Sequence, residues 1–254
     1  HPRLELVSWA RRCVEETDLK LIMRNILFKS IFFSGLILIC IIFLPSLLLP
    51  KKITLFGGKL FGYWSSFCLK IFYSTSIVIK GQENIINNEN FFIACSHQSM
   101  FETFFLQTIF NSPIFILKKE LLNIPIFGWY LRKIDSISVN RNKVSKENLN
   151  FTEKIKEVME KTKRPIIIFP QATRVLPDEI IPFKKGVGRI YRELNVKCQP
   201  VAIDSGRVWP KSGKMKPNRT ITISILKPIN TGIEEAEFVK LLQKEIYSEL
   251  GLAN

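Results

Sequence analysis

From residue 76 to the C-terminus, short β-prone runs alternate with helical patterns, and this alternation constrains the fold most. Helical periodicity covers residues 99–111, 145–161, 187–195 and 234–250. The β-prone runs are SIVIK (76–80), FFIAC (91–95), IFIL (114–117), ISV (137–139), IIIF (166–169), PVAI (200–203) and TITISIL (220–226). Strands separated by helices favour parallel pairing, because a parallel connection needs a long crossover. We therefore predict an α/β domain over 76–254, with a largely parallel or mixed sheet covered by helices.

A long apolar run precedes this domain. Residues 30–50 (SIFFSGLILICIIFLPSLLLP) carry no charge between Lys29 and Lys51. As a helix, this run would reach about 30 Å, the thickness of a bilayer's hydrocarbon core. We predict a transmembrane anchor within residues 23–50, kinked at Pro45. The alternatives are a buried helix or a cleaved signal peptide, although the run ends in Leu-Leu-Leu-Pro-Lys-Lys and not in a small-residue cleavage site.

The composition changes near Met23. Residues 1–22 are rich in Arg and Glu, whereas the rest of the chain is rich in Lys, Ile, Asn and Phe. We therefore expect residues 1–22 to be a non-native or extension segment that lies outside the fold, with Met23 as the natural start.

The flanks of the apolar run predict its orientation and a second membrane element. The leading side carries Arg24 and Lys29, and the trailing side carries more basic residues, namely Lys51, Lys52, Lys59 and Lys70. This bias places the C-terminal part in the cytoplasm, so we predict a cytoplasmic-membrane protein with its main domain inside. Polar or small residues recur every three or four positions in 51–75 and leave a wide apolar face. This pattern predicts an interfacial amphipathic helix, or else an ordinary amphipathic helix on a core.

Composition narrows the chemistry. The net charge of +15 favours anionic partners, such as nucleic acid, anionic lipid or phosphorylated substrates. The five cysteines are scattered and never in C-x-x-C spacing, which argues against a disulfide framework or a zinc site. Only two histidines are present and one of them is residue 1, so His97 is the internal candidate for imidazole chemistry.

His97 directly follows the run FFIAC, and Glu102 lies five residues further on. The two side chains can meet only if His97 lies on the turn before a helix and Glu102 in its first turns, because five residues along one helix turn the side chains apart. They would then form a base and the acid that orients it. Alternatively, Ser99 and Glu102 form a capping box, in which Glu102 only closes the helix start. Both roles can coexist.

Two further blocks end in arginine. The run Phe115–Arg141 predicts a strand, a short helix and a strand that ends at Arg141. The run Ile166–Arg174 predicts a buried strand that breaks at Pro170 and presents Thr173 and Arg174. Ligands bind beyond the carboxyl ends of strands in open α/β sheets, and Arg is suited to phosphate, although any single Arg is more often a solvated surface residue.

A fourth block, Ile181–Ile203, places Lys184 and Lys185 before Gly186, then a helix and a strand. Gly186-x-Gly188 is no dinucleotide fingerprint, because a third glycine and the ribose-binding acid are missing. The sequence also contains no P-loop, no G-x-S-x-G elbow and no H-E-x-x-H motif.

Together and in this order, the four blocks resemble the lysophospholipid acyltransferase family, specifically the 1-acyl-sn-glycerol-3-phosphate acyltransferases. The first block of that family is His, four residues and an acid. The second contains Gly-Trp-Tyr and a terminal Arg, as in Gly128 to Arg141. The third is commonly Phe-Pro-Glu-Gly-Thr-Arg, and here it reads Phe169 to Arg174. The fourth is Lys-Gly before a Pro-Val strand. The resemblance covers about residues 76–210.

The resemblance implies acyl transfer from acyl-CoA or acyl-carrier protein to the free hydroxyl of lysophosphatidate, in a catalytic domain over 76–254. His97 would be the base and Glu102 its orienter. It implies no metal, no redox cofactor and no nucleic acid partner. The substrate would contact Arg141, Gln171, Thr173, Arg174, Lys184, Lys185 and Gly186.

Two departures stand in the third block. Gln171 replaces the usual Glu, which removes a negative charge near Arg174. Ala172 replaces Gly, so we expect a turn with φ below zero. Two alternative functions stay open: acylation of another lyso-lipid, such as a lyso-ornithine lipid or lysophosphatidylethanolamine, and a non-catalytic, membrane-anchored basic protein that binds anionic lipid or nucleic acid.

Overall fold

A seven-stranded sheet forms the centre of the molecule. The structure is a computed structural model that describes residues 2–139 and 151–252, with side chains from Lys20 onward. The strands are β1 Ser76–Lys80, β2 Phe91–Cys95, β3 Ile114–Lys118, β4 Ile137–Val139, β5 Ile166–Ile168, β6 Lys197–Ile203 and β7 Thr220–Ile225. Each lies on one of the β-prone runs of the sequence. The prediction of an α/β domain with a helix-covered sheet is therefore confirmed.

The sheet is mixed. Its strand order is β1-β7-β6-β2-β5-β3-β4. The pairs from β6 through β2, β5 and β3 to β4 are all parallel. β7 pairs antiparallel with β6, and β1 pairs parallel with β7. The carboxyl ends of five strands therefore meet at one edge, and β2 lies in the middle between β6 and β5.

Helices cover both faces of the sheet. The helices are α1 Pro2–Ile42, α2 Lys51–Tyr73, α3 Phe101–Ile109, α4 Phe127–Lys133, α5 Phe151–Thr162, α6 Gly186–Leu194 and α7 Glu235–Glu249. β2 is buried along its whole length and alternates between two cores. Phe92 and Ala94 pack with residues of α6 and α7, whereas Ile93 and Cys95 pack with residues of α2 and α3. This alternation follows from the two-residue period of a strand.

The N-terminal region is a helical hairpin whose limits differ from the predicted ones. α1 ends at Ile42, and a 3₁₀ turn over Leu44–Leu47 leads to α2. Pro45 is the second residue of this turn and does not kink a continuing helix. Proline lacks an N–H group and its ring clashes with the preceding turn, so the helix ends before it. At its other end, α1 continues without a break across Met23, where the sequence placed a boundary.

α1 lies along the α/β domain. Its part Lys20–Ile42 is long and apolar enough to cross a membrane by length and composition. However, Phe28 and Phe32 are fully buried, and both rings meet Trp209 edge-on, each with ring centroids 5.2 Å apart. Near the opposite end, the Tyr130 hydroxyl donates to the carbonyl oxygen of Cys40 at 2.6 Å. Both ends of the apolar segment therefore contact the same domain.

α2 presents an apolar face to the outside. A Cβ on Gly62 would lie 2.6 Å from the carbonyl oxygen of Phe104, so this glycine allows close packing against α3. The opposite face carries exposed apolar residues at helical spacing, namely Ile53, Phe56, Leu60, Tyr63, Phe67 and Ile71. The face around Gly62 thus packs against the protein, and the exposed apolar face is the reverse of that expected for a helix in water.

A charged cluster ties the hairpin to the sheet. Lys51, the first residue of α2, pairs with Asp135 in the turn before β4 at 2.5 Å. Asp135 also accepts a hydrogen bond from the buried Arg164, at 3.0 Å, in the loop before β5. The cluster fixes one end of the hairpin against the starts of two strands.

Candidate active site

His97 lies on the turn between β2 and α3, as its sequence position predicts. The preceding residue holds this turn, because the Ser96 hydroxyl donates to the carbonyl oxygen of Ile203 and accepts from its N–H. Ile203 is the last residue of β6, which is the neighbour of β2. The turn is therefore fixed to the carboxyl edge of the sheet.

The imidazole of His97 lies between an acid and an aromatic ring. Its Nδ1 is 3.5 Å from Oε1 of Glu102, and its side chain is 15% exposed whereas that of Glu102 is fully buried. The ring stacks on Phe169 with centroids 4.1 Å apart and an interplanar angle of 21°. The separation of 3.5 Å is longer than a good hydrogen bond, as is common for catalytic pairs without substrate. Nδ1 faces the acid, so Nε2 is the ring nitrogen left to exchange a proton.

Glu102 accepts hydrogen bonds on both carboxylate oxygens. Oε1 accepts from the backbone N–H groups of Gln98 and Ser99 at 2.6 and 2.7 Å. Oε2 accepts from the Ser205 hydroxyl at 2.9 Å. The bond to Ser99 is half of the predicted capping box, and the Ser99 hydroxyl in turn accepts from the N–H of Phe101. The same carboxylate therefore closes the start of α3 and faces the imidazole.

Ser205 was not among the site residues predicted from the sequence. It lies fully buried two residues after β6. A serine just after the PVAI strand is only a weak indication of a site residue, because the sequence does not reveal which strands are neighbours in the sheet. Once β6 pairs with β2, Ser205 and Glu102 meet at the same edge.

The loop after β5 packs directly against His97. The backbone N–H of Val175 donates to the carbonyl oxygen of His97 at 2.9 Å. The backbone N–H of His97 donates to Oε1 of Gln171 at 3.1 Å. Gln171 is only 1% exposed and its side chain packs within the protein, so its contact with the substrate stays a prediction. Its carboxamide turns inward because it satisfies a backbone donor that would otherwise lack a partner.

Ala172 also differs from expectation. Its φ is +59°, in the left-handed region, where we expected a negative value. Its N–H donates to the carbonyl oxygen of Phe169 at 2.9 Å and closes the turn. The turn thus keeps a backbone conformation that suits glycine, although alanine occupies it.

Several predicted substrate-binding residues line the outside of this loop and the start of α6. Thr173 is exposed, and Arg174 is partly exposed next to Val175. The backbone N–H of Lys184 donates to the carbonyl oxygen of Pro170 at 2.9 Å and brings the third and fourth blocks together. Lys184, Lys185 and Gly186 are all exposed. Among the described residues, Arg174 pairs with no acid.

Arg141 lies outside the described residues. The strand before it, β4, is separated from β2 by β5 and β3. Its placement relative to His97 therefore stays a prediction.

The buried Cys95 lies at the end of β2, two residues before His97. Burial and the charge of Glu102 raise the pKa of the Cys95 thiol well above its ordinary value. A thiol that stays protonated at neutral pH is a poor nucleophile. The arrangement around His97 therefore suits proton transfer to and from a bound hydroxyl more than covalent catalysis by this cysteine.

Comparisons with known proteins agree with the geometry. A family model described as Acyltransferase matches residues 76–204. A 1-acyl-sn-glycerol-3-phosphate acyltransferase of Pseudomonas aeruginosa is 33% identical over 149 residues, which cover 58% of this chain and 56% of the relative. One of the same name from Saccharomyces cerevisiae is 30% identical over 168 residues, covering 64% of this chain and 54% of the relative. The chain thus spans little more than half the length of these curated relatives.

The fold also matches a solved structure. The 1-acyl-sn-glycerophosphate acyltransferase PlsC from Thermotoga maritima superimposes with a TM-score of 0.74 at 21% identity, over 90% of this chain and 97% of that one. This match supports the fold alone. The family model covers half of the chain, including all four sequence blocks and the centre around His97. The chain therefore belongs to the acyltransferase family.

Proposed function

We propose that the protein transfers an acyl chain from an acyl thioester to the free hydroxyl of lysophosphatidate and forms phosphatidate. The names of the relatives support this acceptor. The observation that carries the proposal is one partly exposed imidazole backed by a buried carboxylate, at an edge that also carries exposed cations. The imidazole suits an alcohol acceptor, and the cations suit its phosphate.

In this mechanism, His97 is the general base. Nε2 takes the proton of the acceptor hydroxyl while its oxygen attacks the thioester carbonyl. The carbon–sulfur bond then breaks, and the thiolate leaves with the proton that the imidazolium returns. Glu102 holds the ring through Nδ1 and stabilises its positive charge, as the third member of a catalytic triad does. No acyl-enzyme intermediate is needed.

The acceptor's phosphate would bind at the exposed cations. Arg174 can grip two phosphate oxygens with its planar guanidinium, and Lys184 and Lys185 add positive charge beside it. Thr173 would offer its hydroxyl and Gly186 an open backbone, since nothing lies within 4 Å of a Cβ placed there. Arg141, which lies outside the described residues, is a further candidate from the sequence.

We also propose that the N-terminal hairpin attaches the protein to the cytoplasmic membrane, with the α/β domain facing the cytoplasm. The exposed apolar faces of α1 and α2 support attachment, and the contacts at both ends of α1 favour a hairpin that lies along one leaflet over one that crosses it. The donor would then be cytosolic acyl-CoA or acyl-carrier protein, with no metal or redox cofactor.

One assay tests the proposed reaction. Purified protein in lipid vesicles receives oleoyl-CoA with or without lysophosphatidate, and thiol release and labelled phosphatidate are measured. We expect release that depends on the acceptor, and a loss of roughly 10²–10⁴-fold in His97→Ala. Arg189→Ala, which removes an exposed arginine from α6, serves as the matched control and should retain activity.

Three outcomes would contradict part or all of the proposal. Full turnover in a folded His97→Ala variant would exclude the mechanism. Turnover with lyso-ornithine lipid or lysophosphatidylethanolamine but not with lysophosphatidate would keep the mechanism and change the acceptor. No turnover with any acceptor, together with tight binding to anionic lipid, would favour the non-catalytic alternative.

A further inference from the structure

The segment between β3 and β4 carries exposed apolar side chains that the proposed mechanism does not use. We call residues 118–133 the β3–β4 finger. It contains a 3₁₀ helix over Lys119–Asn123 and then α4. Leu121 is 38% exposed, Ile124 44% and Trp129 51%. Large apolar groups exposed this close together on a surface usually mark a contact with a partner or a membrane.

The finger is tightly folded and not a loose loop. Ile126 has φ +61°, and the N–H of Phe127 donates to the carbonyl oxygen of Pro125 at 2.6 Å, which closes a γ-turn. A branched side chain in this region is rare and strained, and such strain concentrates at functional segments. A Cβ on Gly128 would lie 2.1 Å from the carbonyl oxygen of Leu122, so only glycine fits where the chain folds back. The exposed side chains therefore sit on a fixed support.

The finger is joined to the end of α1 and to the turn of the N-terminal hairpin. The Tyr130 hydroxyl donates to Cys40, and the Lys133 ammonium donates to the carbonyl oxygen of Leu47 at 3.1 Å. The hairpin turn is itself apolar and exposed, with Leu48 93% exposed and Leu49 45% exposed. The apolar surface of the hairpin thus continues onto the finger.

Charge selects the partner for this surface. The finger carries Lys118, Lys119, Arg132 and Lys133 against one acid, Glu120. Apolar residues with a Trp, bordered by basic side chains, match the boundary between the headgroups and acyl chains of an anionic bilayer. Tryptophan favours this boundary because its ring is apolar and its N–H is polar.

We propose that the β3–β4 finger is a second membrane-contacting element, which inserts Leu121, Ile124 and Trp129 into an anionic leaflet beside the hairpin. This inference rests on the proposed membrane attachment. The protein would then contact the same leaflet at two places, through the hairpin and through the finger. A protein held at two places keeps one orientation on the leaflet, so the edge with His97 would meet each lipid acceptor in the same way.

The test is fluorescence quenching by lipid. Full-length protein is mixed with vesicles of phosphatidylcholine and phosphatidylglycerol that contain brominated acyl chains, and the quenching of wild type is compared with that of Trp129→Phe. The chain has four tryptophans, so the difference between the two proteins reports Trp129. We expect the quenched fraction to fall in the variant, and the difference to shrink in vesicles without phosphatidylglycerol.

A second variant keeps Trp129 and changes affinity. Ile124→Ser should weaken vesicle binding roughly three- to tenfold, because an inserted Ile loses much of its transfer free energy. Val78→Ser is the matched control, since Val78 is 42% exposed on β1, at the opposite end of the sheet. It should bind vesicles like wild type. Circular dichroism confirms that each variant is folded.

The outcomes separate this inference from the proposed membrane attachment. If wild type binds vesicles but Trp129→Phe is quenched equally and Ile124→Ser binds normally, the finger does not insert and the hairpin alone attaches the protein. If wild type fails to bind vesicles of either composition, the attachment and the finger are both wrong. Acyl transfer in detergent would still stand in either case.

Discussion

The two sides of the carboxyl edge of the sheet differ in how their polar groups are held. On the inner side, the carboxylate of Glu102 accepts three hydrogen bonds and is fully buried. On the outer side, Arg174, Lys184 and Lys185 extend from the loop after β5 and the start of α6 and are at least partly exposed. The inner groups are fixed by the protein, whereas the outer groups are available to a ligand.

This difference indicates that the inner groups orient the base and that the outer groups bind the substrate. A base must be held in one orientation before the substrate arrives, so the groups that hold it are buried and hydrogen-bonded within the protein. A cation that binds phosphate gains most if no protein carboxylate already occupies it. We therefore expect substitutions on the inner side to reduce kcat, and substitutions on the outer side to raise the KM of the acceptor.

The largest effect should come from Glu102→Gln. The amide keeps an oxygen for the backbone donors but cannot stabilise an imidazolium, so kcat should fall roughly 10²–10⁴-fold. Ser99→Ala is the matched control, because it removes only the hydroxyl that caps Phe101. It should cost about 1 kcal/mol of stability and little activity. Both variants are measured by kcat and by urea unfolding. A Glu102→Gln variant that lost stability but kept its rate would reduce Glu102 to a cap.

Arg174→Ala should show the opposite signature. Loss of a charge-assisted hydrogen bond costs about 1.5–3 kcal/mol, so the KM for lysophosphatidate should rise roughly 10- to 150-fold. The KM for the acyl donor and the stability should change much less. Steady-state kinetics with each substrate varied in turn provide the measurement. If the donor KM rises alone, or both KM values rise together, Arg174 belongs to the thioester site.

Ser205→Ala tests whether the inner side acts as one unit. The substitution removes the hydroxyl that donates to Oε2 of Glu102 at 2.9 Å. One hydrogen bond to a charged group contributes about 1.5 kcal/mol or more, so kcat should fall roughly tenfold while the acceptor KM stays. Ser205→Thr, which keeps the hydroxyl, should recover part of the rate. Equal loss in both variants would point to packing and not to the hydrogen bond.

Ala172→Gly should change stability more than activity. Ala172 has φ +59°, and an L-residue in this region costs about 1–2 kcal/mol. Glycine removes that cost but gains freedom in the unfolded chain, so we expect a net stabilisation of roughly 0.5–1 kcal/mol by urea unfolding. A destabilised variant would show that the alanine methyl group makes packing contacts worth more than the strain.

The smallest effect should come from Asp204→Asn, next to Ser205. Burial raises the pKa of the Asp204 carboxyl, against the hydrogen bond it accepts from the N–H of Thr222, which lowers it. The pKa of the Asp204 carboxyl is higher in the folded state than in the unfolded state. Its contribution to the free energy of unfolding is therefore largest at low pH and falls as the pH rises through these two pKa values. Asparagine does not ionise, so its free energy of unfolding does not contain this pH-dependent loss. Relative to wild type, the variant should therefore be slightly more stable at pH 7 than at pH 4, as measured by parallel urea titrations. A gain that did not depend on pH would exclude this cause.

Much of the fold could be predicted from the sequence, because it is encoded locally. Each of the seven strands lies on a β-prone run, because short runs rich in β-branched and aromatic residues favour strands. His97 and Glu102 are five residues apart, so the strand-to-helix turn between them decided their meeting. The order of the four blocks was also enough to indicate the family.

The tertiary structure decided what depends on partners distant in the chain. Pairing of β6 with β2 brought Ser205 to Glu102 across a separation of 103 residues, and no local pattern could state that pairing. The side chain of Gln171 turns inward because it accepts a hydrogen bond from the backbone N–H of His97. The sequence does not reveal that this N–H needs a side-chain partner. The apolar segment of α1 has the same composition in a transmembrane helix and in a surface hairpin. Its contacts with Trp209 and Tyr130 could not be predicted from that composition, because hydrophobicity records that a residue leaves water and not what it packs against.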